Sequence, residues 1–281
     1  MRETTIGFLH PGAMGVSLAA TAINSGNVAL WASEDRSAQT RGRAEEHGLT
    51  EVDGLEDICE QSRLIVCVCP PHAAEDVAER VSACAFTGIY LDANAISPQR
   101  SALVSRRVEA GGASFVDGGI IGGPAWKPDS TWLYLSGERA EDAASCFSSG
   151  PLGIKVIGTE PGKASALKMC FAANTKGTTA LMCAVLAAAE SLGVRTELEA
   201  QWSRGGSDMA DRTHNSARSA TAKAWRFEGE MAEIAATFES AGVPGGFHQA
   251  AGEIYRRIAA FKDDPERPDI QTVLDALLQR S

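Results

Sequence analysis

The feature that most limits what this chain can fold into is one turn, Gly7-Phe8-Leu9-His10-Pro11-Gly12-Ala13-Met14-Gly15. It lies between a short apolar run at Thr4–Leu9 and apolar residues at helical spacing over Gly12–Ser25. A strand that passes so abruptly into a helix has no room for a hairpin; the helix must cross back over the sheet so that the next strand runs parallel to the first. The same unit recurs. Val28–Trp31 reads as a strand and Ser37–His47 as a helix stopped by Gly48. Leu64–Cys69 (LIVCVC) is a continuous apolar run closed by Pro70-Pro71, as expected of a parallel strand covered on both faces. A helix over 72–84, a strand at Ile89–Leu91 and a helix opened by the Ser97-Pro98 cap follow, then strands at Ser114–Val116, Thr131–Leu135 and Ile154–Ile157. This alternation predicts an α/β domain on a doubly wound, Rossmann-type parallel sheet.

After Gly158 the strand signals stop. Lys163 to Leu192 has no proline and is rich in Ala, Leu and Met, which predicts one long helix, with about four more to follow. The expected organisation is a dinucleotide-binding domain over 1–161 and an all-helical substrate and dimerisation domain over 162–281. Alanine-rich helices pack closely, and so short a domain gives a long central helix little cover, so a homodimer is expected.

Composition narrows the function. The 281 residues are 44% hydrophobic and 22% charged, the balance of a soluble globular protein. With a net charge of −10 and no block of basic residues, non-specific nucleic-acid binding is not expected. The longest apolar run, Thr178–Ala189, is too short to span a bilayer, so no membrane partner is expected. The first residues place Glu3 and a glycine-rich turn where a secretory signal would need its apolar stretch. The seven cysteines are scattered and never spaced as CxxC, which points to a reducing, cytoplasmic compartment. Cys67 and Cys69 share one face of a strand; a metal there would need two more ligands and only His72 is near in sequence, so both read as structural thiols and no metal is expected.

The glycine turn carries the chemistry. Gly12 and Gly15 are the second and third glycines of GxGxxG, with His10 at the first position. Such a turn brings backbone N–H groups and a helix N-terminus to a pyrophosphate. After the second strand comes Ser33-Glu34-Asp35-Arg36-Ser37, with Arg41 and Arg43 beyond. Glu34 is at the distance of a carboxylate that holds the ribose hydroxyls of NAD, whereas Arg36 and Ser37 at a helix start favour a 2′-phosphate. Asp35 or Ser37 would cap that helix. NADP is expected over NAD.

These motifs resemble the β-hydroxyacid dehydrogenase family, which includes 3-hydroxyisobutyrate and 6-phosphogluconate dehydrogenases. The family opens with GFIGLGxMG, matched here at Gly7, Phe8, Gly12, Met14 and Gly15. Three further stretches follow in family order: Asp92-Ala93-Asn94-Ala95-Ile96-Ser97-Pro98, Asp117-Gly118-Gly119-Ile120-Ile121-Gly122-Gly123-Pro124, and Gly162-Lys163-Ala164-Ser165-Ala166-Leu167-Lys168. The later Phe227-Glu228-Gly229-Glu230-Met231 looks like a branch whose helical domain has no assigned function. The resemblance implies that Lys168 is the catalytic acid/base. The cofactor contacts expected are His10, Pro11, Gly12, Ala13, Met14, Gly15, Glu34, Arg36, Ser37, Cys69, Pro70 and Asn94. The substrate contacts expected are Asn94, Ile121, Gly122, Gly123, Thr175 and, by rough analogy, Glu230.

The chain departs from its relatives at His10 for a glycine, Ile121 for a serine, Asn94 for Ser or Thr, and Ala172 for an asparagine. On an ideal helix Thr175 lies about 20° from Lys168 and is expected to take the orienting role that the missing asparagine has in relatives, while Lys176, about 80° round, is close enough to contribute positive charge. With Ile121 unable to donate a hydrogen bond, the substrate should be bulkier or more apolar than a short hydroxy acid, with Trp126 and Lys127 as neighbours. His72, at the carboxyl end of a strand, is a reserve site residue; His214 reads as a surface histidine. The expected function is an NADP-dependent oxidoreductase acting on a small hydroxy compound or its carbonyl. The alternatives are an imine reductase, against which Lys168 argues, and a non-catalytic nucleotide-binding regulatory protein, which Ile121 and Ala172 would suit.

Overall fold

Successive residues of the central strands point to opposite faces of the sheet, and each face meets its own apolar layer. Leu64, Val66, Ile89, Leu91 and Val116 belong to one buried cluster; Ile65, Cys67, Tyr90 and Phe115 belong to the other. Burial on both faces explains the unbroken apolar runs, and each fully buried Leu, Ile or Val contributes about 1.5–3 kcal/mol. The computed structural model describes residues 3–34, 36–264 and 266–279. The chain divides between Met169 and Cys170 into two units.

In the first unit the strands are β1 (Thr5–Phe8), β2 (Val28–Ala32), β3 (Thr50–Val52), β4 (Leu64–Cys67), β5 (Ile89–Asp92), β6 (Ser114–Gly122), β7 (Thr131–Ser136) and β8 (Leu152–Val156). They form one sheet in the order β3-β2-β1-β4-β5-β6-β7-β8. The helices are α1 (Ala13–Asn24), α2 (Ala38–Glu46), α3 (Leu55–Gln61), α4 (Ala74–Ala83), α5 (Pro98–Ala110), α6 (Ala140–Ser145) and α7 (Lys163–Ala172). The sheet is mostly parallel, as expected, with one correction: β7 runs antiparallel to β6, Gly122 opposite Thr131 and Asp117 opposite Ser136. The connection over 123–130 is short enough for a hairpin, so no crossover intervenes. β4 also stops at Cys67 rather than Cys69, the chain entering a 3₁₀ turn at Pro71–Ala73.

The second unit is helical, with α8 (Thr178–Ser191), α9 (Arg195–Trp202), α10 (Met209–Ala220), α11 (Ala224–Ser240), α12 (Gly246–Arg257) and α13 (Ile270–Leu277). The single helix expected over 163–192 is interrupted. Ala173–Gly177 is a π-helical turn between α7 and α8, so the 3.6-residue spacing used to place Thr175 and Lys176 does not run through it. Within this unit α8 packs on α10, α12 and α13, and α11 on α12, burying Cys183, Leu186, Met231, Ile234, Tyr255 and Leu274. No described helix is long and apolar enough to cross a membrane.

His248 on α12 sits edge-on to Phe238 and Phe247, at ring separations of 4.5 and 5.1 Å, and burial lowers its pKa below 6.5. The unfolded chain therefore takes up a proton that the folded chain refuses, and stability falls as pH drops through about 6.5. His248→Gln is expected to flatten this acid-side loss in urea unfolding compared at about pH 7.5 and about pH 5.5. Equal pH slopes for the two proteins would show that His248 is not the group responsible.

Candidate functional site

Because β1, β4, β5 and β6 run parallel, their carboxyl ends lie along one edge of the sheet. Phe8 pairs with Val66, Cys67 with Asp92, and Asp92 with Asp117. From β1 the chain builds outward to β2 and β3, and from β4 in the opposite direction, so the order reverses between β1 and β4. Open α/β sheets bind ligands in the crevice at such a reversal.

The glycine turn fills that position. Gly12 precedes α1 in extended conformation, with no side chain capping the helix, and the space a Cβ would take there is open. Gly15 is the reverse: a Cβ would collide with the His10 carbonyl oxygen, which also accepts a hydrogen bond from Gly12 N at 2.8 Å. Ala13 and Met14 form the first turn of α1, Ala13 exposed and Met14 half-buried.

Two arginines reach this turn. Arg36 Nη2 donates to Leu9 O at 3.2 Å, Arg43 Nη1 to Pro11 O at 3.4 Å, and the Arg36 Nε is buried without a partner among the described residues. Arg41 is engaged elsewhere, with Glu51 at 2.6 Å. Ser37 caps α2, accepting from Thr40 N; Asp35, the other candidate for that cap, lies outside the described residues. Glu34 is exposed.

Beyond β4, Cys69 N donates to Asn94 Oδ1 at 2.5 Å. Asn94 Nδ2 donates to Asp92 Oδ2 at 3.0 Å and to Cys67 Sγ at 3.4 Å. Burial raises the Asp92 carboxyl to about 7; the Asn94 N–H groups oppose that rise and the neighbouring Asp117 charge adds to it. Pro70, exposed, leads into the 3₁₀ turn. The third group beside Cys67 and Cys69 is not His72, which is exposed, but His10; the three present ligand atoms all within 4.8 Å of one another.

Lys168 stands on α7, half-buried, and its Nζ donates to Ile120 O near the end of β6. Two residues of β6 fix that helix. A Cβ on Gly119 would lie 2.5 Å from Ala164 O and 3.2 Å from Lys168 Cβ, so only glycine lets α7 approach the strand. Asp117, 1% exposed, accepts from Gly162 N and Ser165 N at 2.9 Å each, from Ser165 Oγ at 2.5 Å, from Ser101 Oγ at 2.9 Å and from Ser136 Oγ at 3.1 Å. Its carboxylate both satisfies the orphan N–H groups at the start of α7 and complements the helix dipole. Sequence reading missed this role, as it missed Ser101, Ser136 and Ser165. The available signal was an aspartate inside an apolar strand, which must find partners to be buried.

The strand continues through Ile121, half-buried, to Gly122 and Gly123, whose carbonyl accepts from Thr131 Oγ1 at 2.7 Å. Ala125 N donates to Ser17 Oγ at 3.0 Å, tying this loop to α1. Trp126 stacks on His47 at 4.6 Å, and Lys127 is exposed.

The remaining expected residues lie in the helical unit. Thr175 Oγ1, within the π-helical turn, donates to Phe171 O at 3.2 Å. Glu230 is 5% exposed and forms an ion pair with Lys176, with Arg226 Nε at 3.6 Å, so the Lys176 charge is already balanced. Tyr255 Oη donates to Lys176 O at 2.8 Å. His214 Nε2 meets Glu199 at 2.8 Å.

A mostly parallel sheet that reverses its strand order beside a glycine turn, with arginines over that turn, defines a dinucleotide-binding α/β protein. Residues 5–146 match the NAD binding domain of 6-phosphogluconate dehydrogenase, and the chain belongs to that family. Residues 189–258 match a domain of unknown function, DUF1932. The uncharacterized 28.5 kDa protein in the 7S RNA 5′ region of Methanothermus fervidus is 30% identical over 163 residues, 58% of this chain and 62% of that relative. Among solved structures, the conserved protein MTH1747, of unknown function and described as similar to 3-hydroxyacid dehydrogenases, is 28% identical with a TM-score of 0.66, covering 99% of each chain. The Mycobacterium tuberculosis 3-hydroxyisobutyrate dehydrogenase, solved with L-serine, shares the fold at 19% identity and a TM-score of 0.71, covering 98% of this chain and 99% of that one.

Proposed function

We propose that this chain is an NADP-dependent oxidoreductase that moves a hydride between the nicotinamide and a small hydroxy compound or its carbonyl, with Lys168 as acid/base. The observation that carries this reading is the anchoring of Lys168. Its helix is pinned to β6 by Asp117 and its ammonium rests on the Ile120 carbonyl, at the sheet edge that holds the glycine turn.

The residues present fit the dinucleotide. The open face at Gly12 leaves room for a pyrophosphate against backbone, and the unpartnered Arg36 Nε supplies a donor beside it. His10–Gly15, Arg36, Ser37, Cys69, Pro70 and Asn94 would hold the cofactor, whose nicotinamide accepts or returns the hydride when bound. Lys168 takes the hydroxyl proton during oxidation and returns one to the alkoxide during reduction. Ile121 offers no donor, so a substrate anion relies on the Gly122 and Gly123 N–H groups, and a larger apolar substrate is favoured. Titration with NADPH, followed by a screen of alcohols and carbonyls, tests the reading; binding without turnover of any substrate would favour a regulatory role.

The preference for NADP rests on Arg36 rather than the exposed Glu34. Arg36→Ala is expected to weaken NADPH by about 1.5–3 kcal/mol, the range of a charge-assisted hydrogen bond, and to leave NADH nearly unchanged. Equal losses in fluorescence titrations of the two cofactors would count against it.

A further inference from the structure

The crevice between β1 and β4 holds a side-chain cluster in which His10 and Cys69, both among the residues proposed to hold the cofactor, meet Cys67, and neither the ring nitrogens nor the two sulfurs have a part in moving the hydride or the proton. His10 follows β1, Cys67 ends β4, and Cys69 comes two residues on, past the end of the strand. The sulfurs lie 3.7 Å apart, and every pair of ligand atoms among the three residues lies within 4.8 Å. Cys67 is fully buried and Cys69 is 9% exposed, yet the His10 Nδ1 is buried with no hydrogen-bond partner among the described residues. Buried imidazole nitrogens rarely go unsatisfied without a functional reason.

We propose that His10, Cys67 and Cys69 form a zinc site. Around a tetrahedral zinc with Zn–S bonds of about 2.3 Å, two sulfurs stand about 3.8 Å apart. Cys67 and Cys69 already have that separation, and a His10 ring nitrogen lies within 4.8 Å of both sulfurs. Asn94 supplies the outer shell. Its Nδ2 donates to Cys67 Sγ and its Oδ1 holds Cys69 N, an arrangement that orients both ligands and stabilises charge on the sulfur.

Charge selects a divalent ion. Each thiol gives its proton to solvent as its sulfur bonds to the metal, so Zn²⁺ with two thiolates and a neutral imidazole is neutral overall. A monovalent soft ion would leave a net negative charge buried beside Asp92, which the low dielectric penalises. Three protein ligands leave a fourth position for water or another donor, the pattern of an open site.

The test uses the full chain stripped with a chelator and titrated with Co²⁺ and Zn²⁺ alone. One equivalent of Co²⁺ should produce thiolate-to-cobalt charge-transfer absorption, and one equivalent of Zn²⁺ should abolish it. Cys67→Ser and Cys69→Ser should each weaken Zn²⁺ by more than about 100-fold, beyond the effect of losing an outer-shell partner. Should the buried cysteine variants not fold, His10→Ala tests the partly exposed ligand with the same readout. Cys84→Ser, at a partly buried thiol outside the cluster, should leave the affinity unchanged. Absence of the charge-transfer band at saturating Co²⁺, its survival in the Cys67, Cys69 and His10 variants, or its loss in Cys84→Ser would overturn the proposal.

Discussion

Lys168→Ala is expected to lower kcat by about 10²–10⁴-fold, the usual contribution of a positioned general acid/base, while NADPH affinity hardly changes. Hydride transfer leaves or consumes charge on the substrate oxygen, and the half-buried Lys168 ammonium, held by the Ile120 carbonyl, is the group the family resemblance assigns to that oxygen. Lys168→Arg should fail as well, because a guanidinium stays charged across the accessible pH range and cannot accept the proton. Steady-state kinetics on a substrate found by the screen, with cofactor titration in parallel, separates the outcomes. Wild-type turnover in the alanine variant would move the proton to another residue. His72 is then next to be tested.

A second large effect is expected at Asp117. Asp117→Ala removes the acceptor of hydrogen bonds from Ser101, Ser136, Ser165 and Gly162 and leaves donors buried without partners. Each such group costs about 1–3 kcal/mol, so a loss of about 3–5 kcal/mol is expected after relaxation. Asp117→Asn should lose less, since its oxygen can still accept from Gly162 N and Ser165 N while its amide faces the Ser101 and Ser165 hydroxyls, which can turn to accept. Urea unfolding followed through the buried Trp31 reads the effect. A loss below about 1 kcal/mol in both variants would show that α7 is held by packing alone.

How far the sequence could be read depends on how each element is buried. β1, β4 and β5 are apolar on both faces, and their signal is continuous. β3, Thr50–Val52, is a three-residue edge strand with two exposed residues, so its sequence shows neither an apolar run nor alternation. α3 and α6 were missed because one or two turns give periodicity too little length. β6 runs on past the expected Ser114–Val116 through Asp117-Gly118-Gly119, whose composition disfavours a strand. The strand persists because tertiary contacts override that local preference: Asp117 is fully hydrogen-bonded and the bare Gly119 admits α7. The π-helical turn at Ala173–Gly177 has no compositional mark at all.

In the candidate site, the turn His10–Gly15 and Arg36 are read from local sequence order and Lys168 from the family resemblance, and the roles of all of them belong to the proposed function. The Arg43 contact with Pro11 joins residues 32 positions apart, and Asp117 meets Ser165 across 48. Local spacing carries no information about such meetings. The His10–Cys67–Cys69 cluster was hidden for the same reason, His72 being nearer in sequence but not in space.

The antiparallel β6–β7 pair bears on the order in which the sheet assembles. Its two strands are joined by a short loop, so their contacts close at little entropic cost. By contrast β1 must wait for β4 to be available, and the crevice between them is a late, long-range closure. Folding is therefore expected to begin on the side of the sheet that carries Ile121 and Gly122. The strand that carries those residues would be set before the groove beside the glycine turn exists.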